Sequence, residues 1–201
     1  VEAFSIDDSL TTEIDDALSV QGLGSGTVIF GIHIAAPALA IEPDSPIDKV
    51  ARERLSTVYM PGWKLTMLPD ALVQAFTLSE GRESAAVSLY VTIDEPSLEL
   101  RGFETRIERI RVTSNLRHDV LDARVTEASL AGESPADYPH AAELGFAFRL
   151  APALKARREQ VRGKPDQIVF AIDAHFVTGS LNVPQPGSPP GMPQPTVPRT
   201  L

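Results

Sequence analysis

The 201-residue sequence contains no cysteine, one tryptophan and no unbroken apolar run of the roughly 18 residues that a membrane-spanning helix needs. The lack of cysteine excludes disulfides, thiolate metal sites and cysteine nucleophiles. No positively charged leader precedes an apolar stretch, so the sequence shows no secretory signal. We therefore expect a soluble, cytoplasmic protein with no membrane partner.

Basic residues are also few, since 18 Lys and Arg stand against 27 Asp and Glu, which gives a formal net charge of −9. A general nucleic-acid binder usually carries a basic excess, so this balance argues against that class. Much of the acidic excess is local, and a bound cation would offset it. Six acids fall within the first 16 residues: Glu2, Asp7, Asp8, Glu13, Asp15 and Asp16.

Residues 7–16, here called the acidic loop, carry five carboxylates and no Lys or Arg. Carboxylates held a few ångströms apart repel one another, so they stay ionised together only when they are solvated or neutralised by a metal ion. Apolar residues such as Ile14 lie between the acids and favour a loop attached to a core, with converging carboxylates, over a solvated surface loop. All-oxygen ligands favour Mg²⁺ or Mn²⁺, with Ca²⁺ second.

A calcium-binding helix-loop-helix fits this loop poorly, because Thr12 and Leu18 stand where that motif requires glycine and glutamate. The loop instead resembles a known signature. Asp7 followed by Glu13-Ile-Asp-Asp-Ala-Leu-Ser-Val20 is similar to the start of the catalytic (RNB) domain of the ribonuclease II/R family. Later segments resemble later parts of that domain in the same order: residues 31–35, 47–54, 57–69, 86–93 and 109–120.

This resemblance covers residues 1–165 and implies an α+β fold, with a mixed, largely antiparallel sheet and packed helices. It implies a processive 3′-to-5′ exoribonuclease that uses Mg²⁺ or Mn²⁺ to hydrolyse single-stranded RNA and releases nucleoside monophosphates. We expect a monomer. The implied metal ligands are Asp7, Glu13, Asp15 and Asp16, with Asp15 and Asp16 as the catalytic pair. The family usually has aspartate where Glu13 stands, and the longer glutamate would move an ion that demands near-octahedral geometry.

Candidate RNA contacts lie further along the chain. By the same resemblance Tyr59 stacks on a base, whereas Trp63, across a Pro-Gly turn, is predicted to pack at the edge of a core. Arg109 meets either an RNA phosphate or a neighbouring glutamate. Residues 155–164 contain five bases and one acid. Arg158 and Arg162 in this segment are either partners of a helix dipole or phosphate contacts.

The other patterns predict alternating strands and helices. Residues 17–20 and 27–36 flank a Gly-rich turn and predict a hairpin, which places the acidic loop at one end of a sheet. His33, within this hairpin, is either a metal ligand or, as we expect, a hydrogen-bonded core residue. Further strands are predicted at 84–93 and 98–112, and helices at 47–55, 70–76, 115–124 and 140–162. The candidate inner positions of the last helix are Leu144, Phe148, Leu150, Leu154 and Val161.

The end of the chain has a different composition. Residues 181–201 contain seven of the 17 prolines and almost no charge. This composition cannot bury a core, so we predict a Pro-rich, disordered tail over residues 166–201. Because the ribonuclease II/R family continues into a second half of the domain, two alternatives to an exoribonuclease stay open: a non-catalytic RNA-binding fragment and an inactive remnant.

Overall fold

A computed structural model describes residues 1–60, 63–163, 181–182 and 196–197. These residues belong to two compact units. The first unit contains residues 1–41 and 71–163, and the second contains residues 42–70 with the two short segments near the end of the chain. No helix in these ranges is long and apolar enough to cross a membrane.

The strands are, in chain order, β1 (Glu2–Asp7), β2 (Asp16–Gln21), β3 (Thr27–Ala35), β4 (Val58–Met60), β5 (Trp63–Leu65), β6 (Glu83–Asp94), β7 (Glu99–Arg117), β8 (Leu181–Asn182) and β9 (Thr196–Val197). The helices are α1 (Pro46–Arg54), α2 (Asp70–Phe76), α3 (His118–Leu121), α4 (Glu127–Leu130) and α5 (Ala141–Arg162), with a 3-10 helix at Pro37–Ala40.

The first unit is built around a closed barrel with the strand order β1-β2-β3-β6-β7. The barrel closes through a parallel pairing of β1 with β7, while its other strand pairs are antiparallel. The predicted α+β class with a mixed, largely antiparallel sheet is therefore confirmed.

The predicted hairpin is present as β2 and β3, joined by a turn in which Gly22, Gly24 and Gly26 all have positive φ. Only glycine adopts such angles at low cost. A Cβ atom on Gly22 would also approach the carbonyl oxygen of Thr27 to 2.5 Å. The carboxylate of Glu95 accepts hydrogen bonds from the backbone N–H groups of Gly24 and Gly26 and so fixes the turn.

Helix α5 packs on the face of β3 and β6 that carries Val28, Phe30 and Ile93, through its own Phe146 and Leu150. The predicted inner positions Leu144 and Leu150 are buried. Three others were wrong, since Phe148, Leu154 and Val161 are exposed, Val161 to 84%. The helix continues beyond Leu150, the last of its buried residues, and its later turns face solvent.

The segment at residues 115–124 also differs from its prediction as a helix. Residues 115–117 continue β7 and pair in parallel with Ser5, Ile6 and Asp7 of β1, so that the following helix α3 has only four residues. This long-range pairing supplies backbone hydrogen bonds that a local helix would otherwise provide.

In the second unit, α1 begins at Pro46 after Ser45, whose side chain accepts a hydrogen bond from the N–H of Asp48 at 3.3 Å. Strands β4 and β5 form an antiparallel hairpin, and β8 pairs with β9. The predicted disordered tail at residues 166–201 lies outside the described residues, apart from β8 and β9.

Candidate active site

The acidic loop leaves the barrel at the end of β1 and returns at the start of β2. Because β1 and β2 are antiparallel neighbours, Asp7 and Asp16 lie at the same end of the barrel. This is the position that the sequence predicted for the loop.

The backbone of the loop is attached at two points, to the segment between α2 and β6 and to the end of the barrel strand β7. Ile14 is buried, its N–H donates to the Thr77 hydroxyl at 2.8 Å, and its carbonyl accepts from the N–H of Leu78 at 2.9 Å. At the other end of the loop, the Arg117 guanidinium donates to the carbonyl of Asp8 at 2.8 Å. The two buried hydrogen bonds of Ile14 typically contribute about 1 kcal/mol each, whereas the Arg117 contact is exposed, so the path of the loop is best determined at Ile14.

Asp7 is held by side-chain hydrogen bonds. It is half-buried, and its Oδ2 accepts a hydrogen bond from the Ser5 hydroxyl at 2.5 Å. The Ser5 oxygen in turn accepts from the Asn115 amide at 2.9 Å, and the same amide donates to the Leu78 carbonyl. Ser5 and Asn115, on two neighbouring strands, therefore orient the Asp7 carboxylate.

The other predicted ligands lie on the loop itself. Glu13 is half-buried, whereas Asp15 and Asp16 are exposed. The Asp15 carbonyl accepts from the N–H of Ala35 at 2.8 Å, which holds the backbone beside the end of β3.

These side chains suit a hard divalent cation by their chemistry, because all four are carboxylates. In the described ranges, however, no three His, Asp or Glu side chains are grouped closely enough to hold a metal ion. The joint ligation of one site by Asp7, Glu13, Asp15 and Asp16 therefore stays a prediction.

His33 is fully buried on the barrel face opposite α5, and it is hydrogen-bonded as the sequence predicted. Its Nδ1 lies 2.7 Å from the Ser88 hydroxyl and its Nε2 lies 2.9 Å from the Ser19 hydroxyl. Burial lowers the pKa of His33 to about 4, so the ring is neutral near pH 7. Gly31 makes room for it, since a Cβ there would lie 2.7 Å from His33 Nε2.

His33 belongs to a hydrogen-bonded group of side chains. The Glu108 carboxylate accepts from the Tyr90 hydroxyl at 2.6 Å, and Ser88 and Ser19 each contact one ring nitrogen of His33. The neutral ring therefore uses one nitrogen as a donor and the other as an acceptor.

The same contacts shift two further pKa values. Burial and then the hydrogen bond to Glu108 raise the pKa of Tyr90 to about 12. Burial alone would raise the pKa of Glu108, but the hydrogen bonds from Tyr90 and Ser88 lower it on balance. Glu108 is therefore an ionised acceptor at neutral pH.

The predicted RNA-contacting residues lie on other elements than the acidic loop. Tyr59 is on β4 and is 70% exposed. Arg109 on β7 forms a salt bridge with Glu83, with its Nε 3.9 Å from a carboxylate oxygen. A contact with a glutamate was one of the two alternatives for Arg109, but Glu83 is not among the glutamates nearest to it in sequence. Arg158 and Arg162 lie on the exposed last turns of α5. The predicted packing of Trp63 was wrong, because its side chain is 60% exposed.

Three residues that position the loop were not identified from the sequence: Thr77, Asn115 and Arg117. Asn115 and Arg117 fall in the segment that carried the family resemblance, but they were predicted to lie on a helix. Only the pairing of β1 with β7 brings them to the acidic loop.

Comparison with known proteins agrees with this arrangement. The family model described as RNB domain matches residues 1–183. Exoribonuclease 2 of Edwardsiella piscicida is 32% identical over 180 residues, which cover 85% of this chain and 27% of that protein. Ribonuclease R of Chlamydia trachomatis is 31% identical over 120 residues, which cover 59% of this chain and 17% of that protein. Protein SSD1 of Saccharomyces cerevisiae is 31% identical over 113 residues, or 56% of this chain and 9% of that protein.

Solved structures show the same fold. The Mycoplasma genitalium RNase R complex with ribose-methylated single-stranded RNA matches with a TM-score of 0.64 and 21% identity, over 79% of this chain and 24% of that one. Yeast Ssd1, described as a pseudonuclease, matches with a TM-score of 0.65 and 27% identity, over 83% of this chain and 19% of that one. In these matches the chain spans between 9% and 27% of the length of its relatives.

Proposed function

Because the chain belongs to the RNB domain family, whose relatives here include exoribonucleases, we propose that it forms part of a metal-dependent 3′-to-5′ exoribonuclease. The observation that carries this proposal is the acidic loop. Its carboxylates lie within the family match, and the loop is held at one end of the barrel by hydrogen bonds to its backbone.

In this proposal Asp7, Glu13, Asp15 and Asp16 hold Mg²⁺ or Mn²⁺. Such an ion supplies an activated water molecule and offsets the charge that develops on the phosphate. The chain's own contribution is orientation. Ser5 donates to Asp7 and fixes one carboxylate in place, while Thr77 and Arg117 hold the backbone from which the other carboxylates extend.

We propose single-stranded RNA as the substrate and nucleoside monophosphates as the products. The support comes from relatives, since matching RNase R structures contain single-stranded and double-stranded RNA. Within this chain, the exposed ring of Tyr59 is suited to stack on a base without regard to sequence, at about 1–3 kcal/mol per base. Arg109, Arg158 and Arg162 are the candidate phosphate contacts.

A second candidate is a non-catalytic RNA-binding protein. It is favoured by the similarity to yeast Ssd1, a pseudonuclease, and by the glutamate at position 13. The two candidates differ in whether a completed domain cleaves RNA, and not in whether it binds RNA.

The deciding experiment replaces the matching segment of Edwardsiella exoribonuclease 2 with this chain and measures both RNA binding and single-turnover cleavage. We expect the chimera to cleave RNA. In the chimera, Asp15→Asn should lower the cleavage rate by orders of magnitude and leave RNA affinity unchanged or higher, because the charge that it removes acts on the metal and not on the RNA. Tyr59→Ala should instead weaken binding about 5- to 150-fold, which corresponds to 1–3 kcal/mol.

Two results would contradict these roles. A folded chimera that binds RNA but never cleaves it would favour the pseudonuclease alternative. An Asp15→Asn chimera that loses binding and cleavage equally would place Asp15 in RNA contact and remove it from the metal site.

A further inference from the structure

Asn115 lies near the end of β7, where it pairs with Ser5 of β1. Its Nδ2 donates to the Ser5 hydroxyl at 2.9 Å and to the Leu78 carbonyl at 3.0 Å, and its Oδ1 accepts from the N–H of Glu80 at 2.7 Å. The Glu80 carboxylate in turn accepts from the backbone N–H of Asn115 at 3.0 Å. The amide group is therefore fixed by acceptors at its nitrogen and by a donor at its oxygen.

Two of these contacts lead to opposite ends of the acidic loop. Ser5 donates to Asp7 Oδ2 at 2.5 Å, where the loop leaves the barrel. Leu78 is fully buried, and its N–H donates to the carbonyl of Ile14 at 2.9 Å, where the loop returns. Asn115 is therefore connected to both ends of the loop through one residue on each side.

The separation of the two ends affects which cation the carboxylates suit. Asp7 lies at one end, and the other predicted ligands lie at the other end, within residues 13–16. Mg²⁺ demands near-ideal octahedral geometry with ligands at about 2.0–2.1 Å, whereas Ca²⁺ accepts a flexible set of oxygens at about 2.3–2.6 Å. A shift of one end of the loop relative to the other should therefore weaken Mg²⁺ binding more than Ca²⁺ binding.

We propose that Asn115 is a positioning residue of the metal site, which holds Asp7 at a fixed separation from the carboxylates of residues 13–16 and thereby favours Mg²⁺ over Ca²⁺. This inference rests on the proposed function, because it concerns the geometry of the same site. Asn115 acts on the ligands through Ser5 and Leu78. A neutral amide suits this role, because it supplies two donors and an acceptor without adding charge beside the carboxylates.

Thr113 provides a matched control on the same strand. Like Asn115 it is half-buried and joins β7 to β1, since its hydroxyl donates to the Ala3 carbonyl at 3.1 Å. This contact is made near the start of β1, away from the acidic loop. Thr113→Val therefore removes a hydrogen bond between the same two strands without touching the residues that hold the loop.

The experiment measures the metal affinity of the intact chain well below its melting temperature. Electron paramagnetic resonance reports free Mn²⁺, and displacement of Mn²⁺ gives the affinities for Mg²⁺ and Ca²⁺. For Asn115→Ala we expect Mg²⁺ affinity to fall about 10- to 100-fold, as is typical when a group that orients a metal ligand is removed. Ca²⁺ affinity should fall by a smaller factor. Thr113→Val should keep the wild-type affinity for both ions.

A double-mutant cycle tests whether Asn115 acts through Ser5. Ser5→Ala alone should weaken Mg²⁺ binding, because Asp7 loses its hydrogen-bond donor. Asn115→Ala should then weaken binding by a smaller factor in the Ser5→Ala background than in the wild type, since one of its two routes is already lost. Fully additive effects on log affinity would contradict this route. Ser5→Ala also tests the contact with Asp7 if Asn115→Ala does not fold.

Three further results would overturn the inference. If the wild type bound Mg²⁺ and Asn115→Ala left the ratio of Mg²⁺ to Ca²⁺ affinity unchanged, Asn115 would not set the geometry, and the proposed metal site would stand without it. If Thr113→Val weakened binding equally, the effect would be one of general stability. If the wild-type chain bound neither Mn²⁺ nor Mg²⁺ at millimolar concentration, the metal site would be refuted together with this inference. Circular dichroism of each variant establishes that it is folded.

Discussion

Acidification should destabilise the barrel through His33, and the size of the effect follows from its burial. The pKa of His33 is about 4 in the folded protein, against an ordinary value of 6.5 for the unfolded chain. Between these two values the unfolded chain binds more protons than the folded protein. The free energy of unfolding therefore falls as the pH drops from about 6.5 to about 4, and levels off below that range.

The difference between the two pKa values corresponds to about 3 kcal/mol, at 1.36 kcal/mol per unit. Domains of this kind usually have about 5–15 kcal/mol of stability, so the loss is large enough to measure. The structural cause is burial: the enclosed His33 ring would lose its hydration when charged, and a protonated ring would need both Ser88 and Ser19 as acceptors, whereas the neutral ring donates to one and accepts from the other.

Urea unfolding followed by far-ultraviolet circular dichroism measures this loss, because the only tryptophan, Trp63, lies outside the barrel unit. His33→Gln is the control, since its amide keeps one donor and one acceptor but does not titrate in this range. We expect the stability advantage of the wild-type protein over His33→Gln to shrink by about 3 kcal/mol between pH 7 and pH 4. Parallel pH profiles for the two proteins would refute the reasoning.

Further predictions concern packing, loop attachment and activity. Gly31→Ala should lower the free energy of unfolding in urea by about 1–3 kcal/mol, because its Cβ would lie 2.3 Å from Ser19 Oγ. The control Gly102→Ala, whose Cβ meets nothing within 4 Å, should not destabilise the protein. Equal effects of the two substitutions would contradict this prediction. Thr77→Val should lower the free energy of unfolding by about 1–3 kcal/mol, because it leaves the buried N–H of Ile14 without its acceptor. An unchanged unfolding midpoint would argue against that contact. The 201-residue chain alone should release nucleoside monophosphates at least 10²-fold more slowly than Edwardsiella exoribonuclease 2. The match covers only 27% of that protein, and a preorganised group elsewhere in an active site is typically worth about 10²–10³ in rate. A comparable rate would show the prediction wrong.

The elements predicted well from the sequence are those with strong local signals. The Gly-rich turn between β2 and β3 and the Pro-initiated helix α1 were located to within a residue or two. Errors arose where distant residues decide the outcome. Residues 115–117 became strand only because β1 pairs with them in parallel, and Val161 is exposed because α5 extends beyond its last buried residue.

The candidate site likewise combines a feature with a strong local signal and contacts that distant residues decide. The acidic loop was recognisable from composition, since five carboxylates without a base are a local feature. The hydrogen bonds from Thr77 and Arg117 to the loop backbone could not be recognised from composition, because they depend on which distant side chains the fold brings to the loop.

A titration of the purified chain with Mn²⁺, in which electron paramagnetic resonance reports the free ion, tests the metal site most directly. We expect saturable binding that Asp7→Asn and Asp15→Asn each weaken at least tenfold, or by about 1.4 kcal/mol, because each removes a charged oxygen ligand. Asp137→Asn, which removes an exposed carboxylate outside the acidic loop, should bind as the wild type does. Absence of binding at millimolar Mn²⁺, or equal binding by all three variants, would contradict a metal site in the acidic loop.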